Sequence, residues 1–152
     1  MNLQNQTKQI VLLWLATSDS SGEPNVSPKE LFLFKGKDRL IVANIASPKT
    51  LTNILQNPKV CISGIDIWKQ KGMQYKGRAK VISPLNKRFK KIEAEFRPLN
   101  QGKFRIQHFI EIQIFQQKEV SAPSYFFYPT TEEEDQIEVS KTTYFKQLPG
   151  QF

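Results

Sequence analysis

The chain of 152 residues carries one cysteine and one histidine. Cys61 alone cannot close an internal disulfide, and within Val60-Cys61-Ile62 it reads as a small core residue. His108 has no second imidazole and no nearby thiol, so a zinc site cannot be assembled. It also lacks the nucleophile and acid that a hydrolytic triad needs, and is read as structural or surface. No apolar run is long enough for a membrane-spanning helix. Asn2 to Gln9 are too polar for the core of a signal peptide, so a cytoplasmic location is expected. Repeats, low-complexity tracts and long linkers are missing too, which points to a single domain over 1–152. Acids are scarce: 14 Asp and Glu face 22 Lys and Arg, a net charge of +8, and four of the acids sit together at Glu132-Glu133-Glu134-Asp135. Such an imbalance favours anionic partners: phosphorylated small molecules, nucleic acid or a membrane surface.

What is present is a folding chain. Hydrophobic residues make up 39% and eleven phenylalanines contribute to 11% aromatics, too much for a disordered segment. Val11 to Thr17 reads as a buried strand, and Ser18 to Pro24 as a turn around Gly22. Asn25 to Phe34 reads as one strand, apolar on both faces at its end. Lys35-Gly36-Lys37-Asp38 is a hairpin turn into Arg39 to Asn44. A short helix follows, with Leu51, Ile54 and Leu55 on one face, ending at Asn57-Pro58. Lys59 to Ile65 and Gly72 to Ile82 are further strands. Leu85, Phe89, Ile92 and Phe96 recur at helical spacing and predict an amphipathic helix ended by Pro98. Phe109 to Phe115 predicts a strand, and Tyr125 to Tyr128 a short aromatic one. Hairpin-length turns imply antiparallel pairing. The expected fold is mainly β with α: a split, Greek-key-like β-barrel of six to seven antiparallel strands plus two or more helices.

The most informative stretch is Ser47-Pro48-Lys49-Thr50. Ser47 suits an N-cap and Pro48 the first helical position. Lys49 and Thr50 then lie in the first turn, beside unpaired backbone N–H groups, where a phosphate is readily held.

Three segments recur in order: Pro24-Asn25-Val26-Ser27-Pro28-Lys29, then Ser47-Pro48-Lys49-Thr50 with Asn53, then Asn57-Pro58-Lys59-Val60. Together with Ala122 to Pro129 and the acidic segment after it, they resemble the FMN-binding split-barrel family related to pyridoxamine 5'-phosphate oxidase, over roughly residues 10 to 140. The resemblance implies a homodimer with FMN in clefts at the interface. It implies that Lys49 and Thr50 hold the FMN phosphate, that Val26, Ser27, Pro28 and Lys29 lie along the isoalloxazine ring, and that Ala43, Asn44 and Ser47 line the ribityl and phosphate path. Lys29 is expected to place positive charge near N1 and O2 of the ring. Gln74, in Gly72-Met73-Gln74-Tyr75-Lys76-Gly77, falls on the strand that faces the flavin in the family. Trp68, Tyr125 and Phe127 are candidates to cover the ring from the partner subunit.

The family's vitamin half is missing. The chain ends Gln147-Leu148-Pro149-Gly150-Gln151-Phe152, without the arginine-bearing R-L-x-P motif and its Arg/His pair. Pyridoxamine phosphate is therefore not the expected substrate. An FMN-dependent oxidoreductase acting on a small molecule, with a nicotinamide as possible electron donor, is expected. A non-enzymatic flavin carrier, or haem or another flavin-like ligand in the same cleft, stays open. Nucleic acid binding is disfavoured: Lys76-Gly77-Arg78-Ala79-Lys80-Val81 echoes the frame of an RNA-recognition strand, but Arg78 and Lys80 occupy the slots of the stacking aromatics. Lys87-Arg88-Phe89-Lys90-Lys91 reads as the solvated face of its helix.

Overall fold

A computed structural model describes residues 10–146; Asn2 to Gln9 and Gln147 to Phe152, discussed above, lie outside the described residues. Seven strands and four helices follow one another as β1 (Leu13–Ser18), β2 (Pro24–Lys29), β3 (Phe32–Lys35), β4 (Arg39–Asn44), α1 (Pro48–Gln56), β5 (Lys59–Asp66), β6 (Lys71–Ile82), α2 (Phe89–Asn100), β7 (His108–Ser121), α3 (Ser124–Phe127) and α4 (Glu133–Lys146). The strands form one antiparallel sheet in the order β2-β1-β5-β6-β7-β4-β3, curled into a half-barrel. Consecutive strands β2 and β3 thus stand at opposite edges of the sheet. The chain crosses between them at Glu30 and Leu31, and the Ala43 N–H donates to the Leu31 carbonyl at 2.9 Å. The prolines at 24 and 28 are tolerated because β2 is an edge strand.

Two apolar clusters lie on the two faces. Inside the curl, Leu13, Leu15, Leu40, Val42, Ile62, Tyr75, Ile110 and Ile112 pack together with Ile54 of α1. On the outer face, Ile41, Ala43, Ile82 and Phe109 receive Phe89, Ile92 and Phe96 of α2. The Phe109 ring lies 5.0 Å from both Phe89 and Phe96. Alternation along β4 serves both clusters: Leu40 and Val42 point in, Ile41 and Ala43 out.

Several elements differ from expectation. The predicted strand over Asn25 to Phe34 is two strands, broken where the chain crosses the split. The predicted strand from Phe109 to Phe115 continues to Ser121, because β6 offers a 12-residue partner. Tyr125 to Tyr128 is not a strand; α3 is a single helical turn, with the Tyr125 hydroxyl donating to the Lys69 carbonyl at 2.8 Å. Leu85 is not on the buried face of α2, which begins at Phe89, and Pro98 lies within its last turn rather than ending it. Leu55 is exposed while Thr50 and Asn53 take the buried face of α1. Cys61 points to the outer face and is half-buried, not core. Gly72 is placed by its neighbour strand: a Cβ there would meet the Gly64 carbonyl oxygen at 2.0 Å.

Candidate functional site

Helix α1 starts as the sequence implies, at Ser47 with Pro48 in its first turn, and its inner stripe is polar. Thr50 and Asn53 are fully buried beneath it. The Thr50 hydroxyl shares a 3.0 Å hydrogen bond with the Ser27 hydroxyl and accepts a long one from Asn25 Nδ2 at 3.5 Å. Asn53 Nδ2 donates to the Thr17 hydroxyl at 3.1 Å, while its Oδ1 is buried without a partner among the described residues. Thr17, Asn25, Ser27 and Lys29 share the inner face of β1 and β2, because the register pairs Thr17 with Asn25, Leu15 with Ser27 and Leu13 with Lys29. A hydrophilic floor thus replaces the apolar core at this end of the barrel.

Lys29 finishes that floor at the mouth of α1. Only 4% of it is exposed. Its Nζ donates to the Ser47 hydroxyl at 2.7 Å and to Asn44 Oδ1 at 3.2 Å, and Asn44 Nδ2 in turn donates to the Ser47 carbonyl at 3.3 Å. Among the described residues no carboxylate pairs with it, so burial pushes its ammonium down to about 8. The Ser47 hydroxyl accepts from Lys29 and makes no cap hydrogen bond, and no acidic residue occupies the first turn. The leading N–H groups of α1 therefore remain available to an anion.

A cleft of about 340 Å³ opens beside this arrangement, lined by Pro28, Lys29, Leu31, Ala43, Ser47 and Phe104 among others. One end offers an ammonium, a hydroxyl and a helix N-terminus, and the walls are mostly apolar, with Glu30 at the rim. The volume lies in the range of small-ligand sites. This donor set suits a dianionic phosphate, and the apolar walls with the free edge of β2 suit a flat ring, so the residues fit FMN.

The expected site residues fall into four groups. Lys29, Ala43, Asn44 and Ser47 come together at the cleft, with Pro28 on its rim. Ser27 and Thr50 lie just beneath, their hydroxyls turned inward to each other rather than toward a ligand. Val26 and Gln74 point to the outer face, Gln74 standing opposite Ser63 and Lys118, away from this chain's own cleft. Lys49 is half-exposed and reaches Asp19 at 3.6 Å. The Ser21 hydroxyl and the turn's own N–H groups hold the Asp19 carboxyl below its usual range. Thr17 carries no signal in the sequence; Asn25 and Asn53 belong to the segments that carry the family resemblance but are not among the expected site residues. The three aromatics expected to cover the partner's ring lie away from this chain's own cleft. Tyr125 is tied to Lys69, Trp68 contacts the rings of Tyr144 and Phe145, and Phe127 is exposed.

The pyridoxamine 5'-phosphate oxidase family profile matches residues 2–120. The chain belongs to the pyridoxamine 5'-phosphate oxidase family. Within solved structures it is similar to HupZ of Group A Streptococcus, at 21% identity over 80% of this chain and 99% of that one, with a TM-score of 0.66. It is similar to an FMN-binding protein from Syntrophomonas wolfei, at 18% identity over 77% and 84%, with a TM-score of 0.64. It also resembles HutZ, the heme storage protein from Vibrio cholerae, at 19% identity over 80% and 95%, with a TM-score of 0.61. No curated protein matches the chain. The oxidase-family match ends within β7, so α3 and α4 lie beyond it. Among the described residues no helix is long and apolar enough to cross a membrane, and no cluster of His, Cys, Asp or Glu could hold a metal ion.

Proposed function

We propose that this chain binds FMN in the cleft between β2 and the β4–α1 turn and acts, as a homodimer, as an oxidoreductase on a small molecule. The observation that carries the reading is the buried, carboxylate-free Lys29 held by Ser47 and Asn44 at the open N-terminus of α1. FMN, when bound, supplies hydride or two-electron transfer at its N5. The protein's part is to bind and orient. Lys29, Ser47 and the first N–H groups of α1 receive the phosphate. Asn44 fixes the turn that carries Ser47, and Ala43, Leu31 and Phe104 exclude water from the ring. Exposed Trp14, Ile65, Ile67 and Trp68 on one flank support a second copy packed there. Phe127 and Trp68 are assigned to the substrate side of the partner's flavin.

The test is a titration of the purified protein with FMN, followed by absorption and fluorescence, then addition of NADH or NADPH. Saturable quenching with reduction by a nicotinamide supports the oxidoreductase. Bound flavin that no nicotinamide reduces supports a carrier. No binding at micromolar protein removes the FMN reading. One observation favours a second ligand: His108 stands opposite Asn44 in the β4–β7 register, and its Nδ1 is buried without a partner among the described residues. Haem binding through this histidine gives an intense Soret band on hemin addition that His108→Ala abolishes.

A further inference from the structure

Away from the flavin cleft, the outer face of β5, β6 and β7 carries an arrangement that stability alone disfavours. Lys59 and Arg78 stand directly opposite each other across β5 and β6. Like charges so placed repel. Lys76 lies two residues from Arg78 on the same face, opposite Cys61. Among the described residues none of these three cations has an acidic partner within ion-pair distance.

The backbone beside them is deliberately irregular. The β6–β7 register shifts between Lys76 and Gly77: Lys76 pairs with Gln116 and Gly77 with Ile114. Phe115 is the residue left over. A bulge of this kind re-aims a side chain, and here it leaves an aromatic ring 66% exposed beside two lysines. Gly77 makes the irregularity possible, since a Cβ there would lie 2.7 Å from the Gln113 carbonyl oxygen and 2.6 Å from Ile112. Lys59, Lys76, Cys61, Thr17, Ser18 and Phe115 line a cleft of about 300 Å³ at this point.

We propose that this cleft binds a nucleotide-type ligand, its aromatic base on Phe115 and its phosphate on Lys59 and Lys76. The exposed ring distinguishes the site from a plain anion patch, and the paired cations distinguish it from an apolar contact. Base stacking on an exposed aromatic beside basic residues is sequence-tolerant and needs only one such ring per base. The same chemistry is offered by a free mononucleotide and by the end of a single strand.

Calorimetric titration with adenosine 5'-monophosphate, adenosine and inorganic phosphate tests the assignment. The monophosphate should bind more tightly than either fragment. Lys59→Gln/Lys76→Gln should weaken it by about tenfold or more, since two charge-assisted contacts are lost. Phe115→Ala should weaken it by about fivefold or more while leaving phosphate binding unchanged, and Phe115→Tyr should restore it. Lys29→Ala, which empties the flavin cleft of its cation, should leave this binding intact, so failure here and failure of the FMN reading are separable. Without any ligand, Lys59→Gln should raise the melting temperature by relieving the opposed charges, and melting of each variant checks that it folds. An eight-nucleotide single strand that binds more tightly than the monophosphate identifies strand ends as the source; equal affinity identifies the free nucleotide. Absence of binding at millimolar monophosphate, or affinities that ignore both Phe115 and the lysines, overturns the proposal.

Discussion

Helices α1 and α2 dock on opposite faces of one sheet by opposite means. Helix α2 lays Phe89, Ile92 and Phe96 on Phe109 and Ile82, a contact with no polar atom to satisfy. Helix α1 lays Thr50 and Asn53 on Thr17, Asn25 and Ser27, with only Ile54 and part of Leu51 reaching the apolar core. Non-directional burial stabilises whatever geometry fills the space. Hydrogen bonds between short side chains add about 1 kcal/mol net each and leave Asn53 Oδ1 a buried orphan among the described residues, but they fix direction. The helix whose N-terminus faces the cleft is the one held directionally. Of these two contacts, that of α2 is made by apolar burial and that of α1 supplies direction.

The sharpest break of this comparison is Phe96→Ala. The ring is fully buried, and its removal should cost about 3–5 kcal/mol of unfolding free energy in a denaturant melt. FMN affinity of the folded fraction should not change. If affinity fell in proportion to stability, the division of labour between the helices would be wrong.

Lys29→Met should do the reverse. Losing a charge-assisted contact to phosphate should weaken FMN by about 1.5–3 kcal/mol, while stability holds or rises because a buried ammonium is removed. The pH dependence has a definite sign. The folded-state pKa of Lys29 is depressed to about 8 from 10.5, so below pH 8 both states carry the proton and the desolvation cost is fully present. Between pH 8 and 10.5 the unfolded chain binds more protons than the folded one, and stability gains as pH rises. FMN affinity moves oppositely: the free protein loses the cation above pH 8, so affinity should fall by up to about tenfold per pH unit there. Riboflavin, without the phosphate, should show no such fall. A flat FMN profile between pH 7 and 9.5 would remove Lys29 from the phosphate site.

Thr50→Val probes the directional contact itself. It leaves the Ser27 hydroxyl buried without its partner, at a cost of about 1–2 kcal/mol in a thermal or denaturant melt. FMN affinity should drop only a few-fold, because the leading N–H groups of α1 stay in place but are held less firmly. A loss as large as that of Lys29→Met would mean that Thr50 touches the ligand.

Much of this fold was legible because alternation and turn chemistry agree. Strand β4 was read residue for residue from Arg39 to Asn44, where a hairpin turn precedes a run buried on both faces. Leu31 to Phe34 is apolar on every residue, which hides the crossing at Glu30 and makes β2 and β3 read as one strand. The aromatic run Tyr125 to Tyr128 mimics a strand, and only the tertiary tie from Tyr125 to Lys69 explains the helical turn over Ser124–Phe127. At the site, Ser47-Pro48 announces the helix start and Ala43 and Asn44 are expected beside it, whereas Lys29, expected along the ring, stands at the helix start with Ser47 and Asn44. The polar floor was not legible. Threonine and asparagine on a helix ordinarily face water, and Leu55 looked like the better inward residue until the sheet's own Thr17 and Asn25 supplied partners for Thr50 and Asn53.

The smallest effect belongs to the residue that the sequence made most prominent. Lys49 sits in the first turn of α1, where a phosphate-binding lysine is expected, yet its ammonium lies 3.6 Å from Asp19 and its side chain is half-exposed. Exposed pairs of this kind contribute about 0–1 kcal/mol, and a lysine that must leave one carboxylate to meet a phosphate gains only the difference. Lys49→Ala should therefore weaken FMN by less than about 1 kcal/mol, and the residual effect should shrink with added salt. Asp19→Asn should strengthen FMN slightly by freeing the lysine, an increase that vanishes when Lys49→Ala is combined with it. Were Lys49→Ala to cost as much as Lys29→Met, the phosphate would lie along the outer flank of α1, and the buried ammonium would return to the role of charge beside the ring.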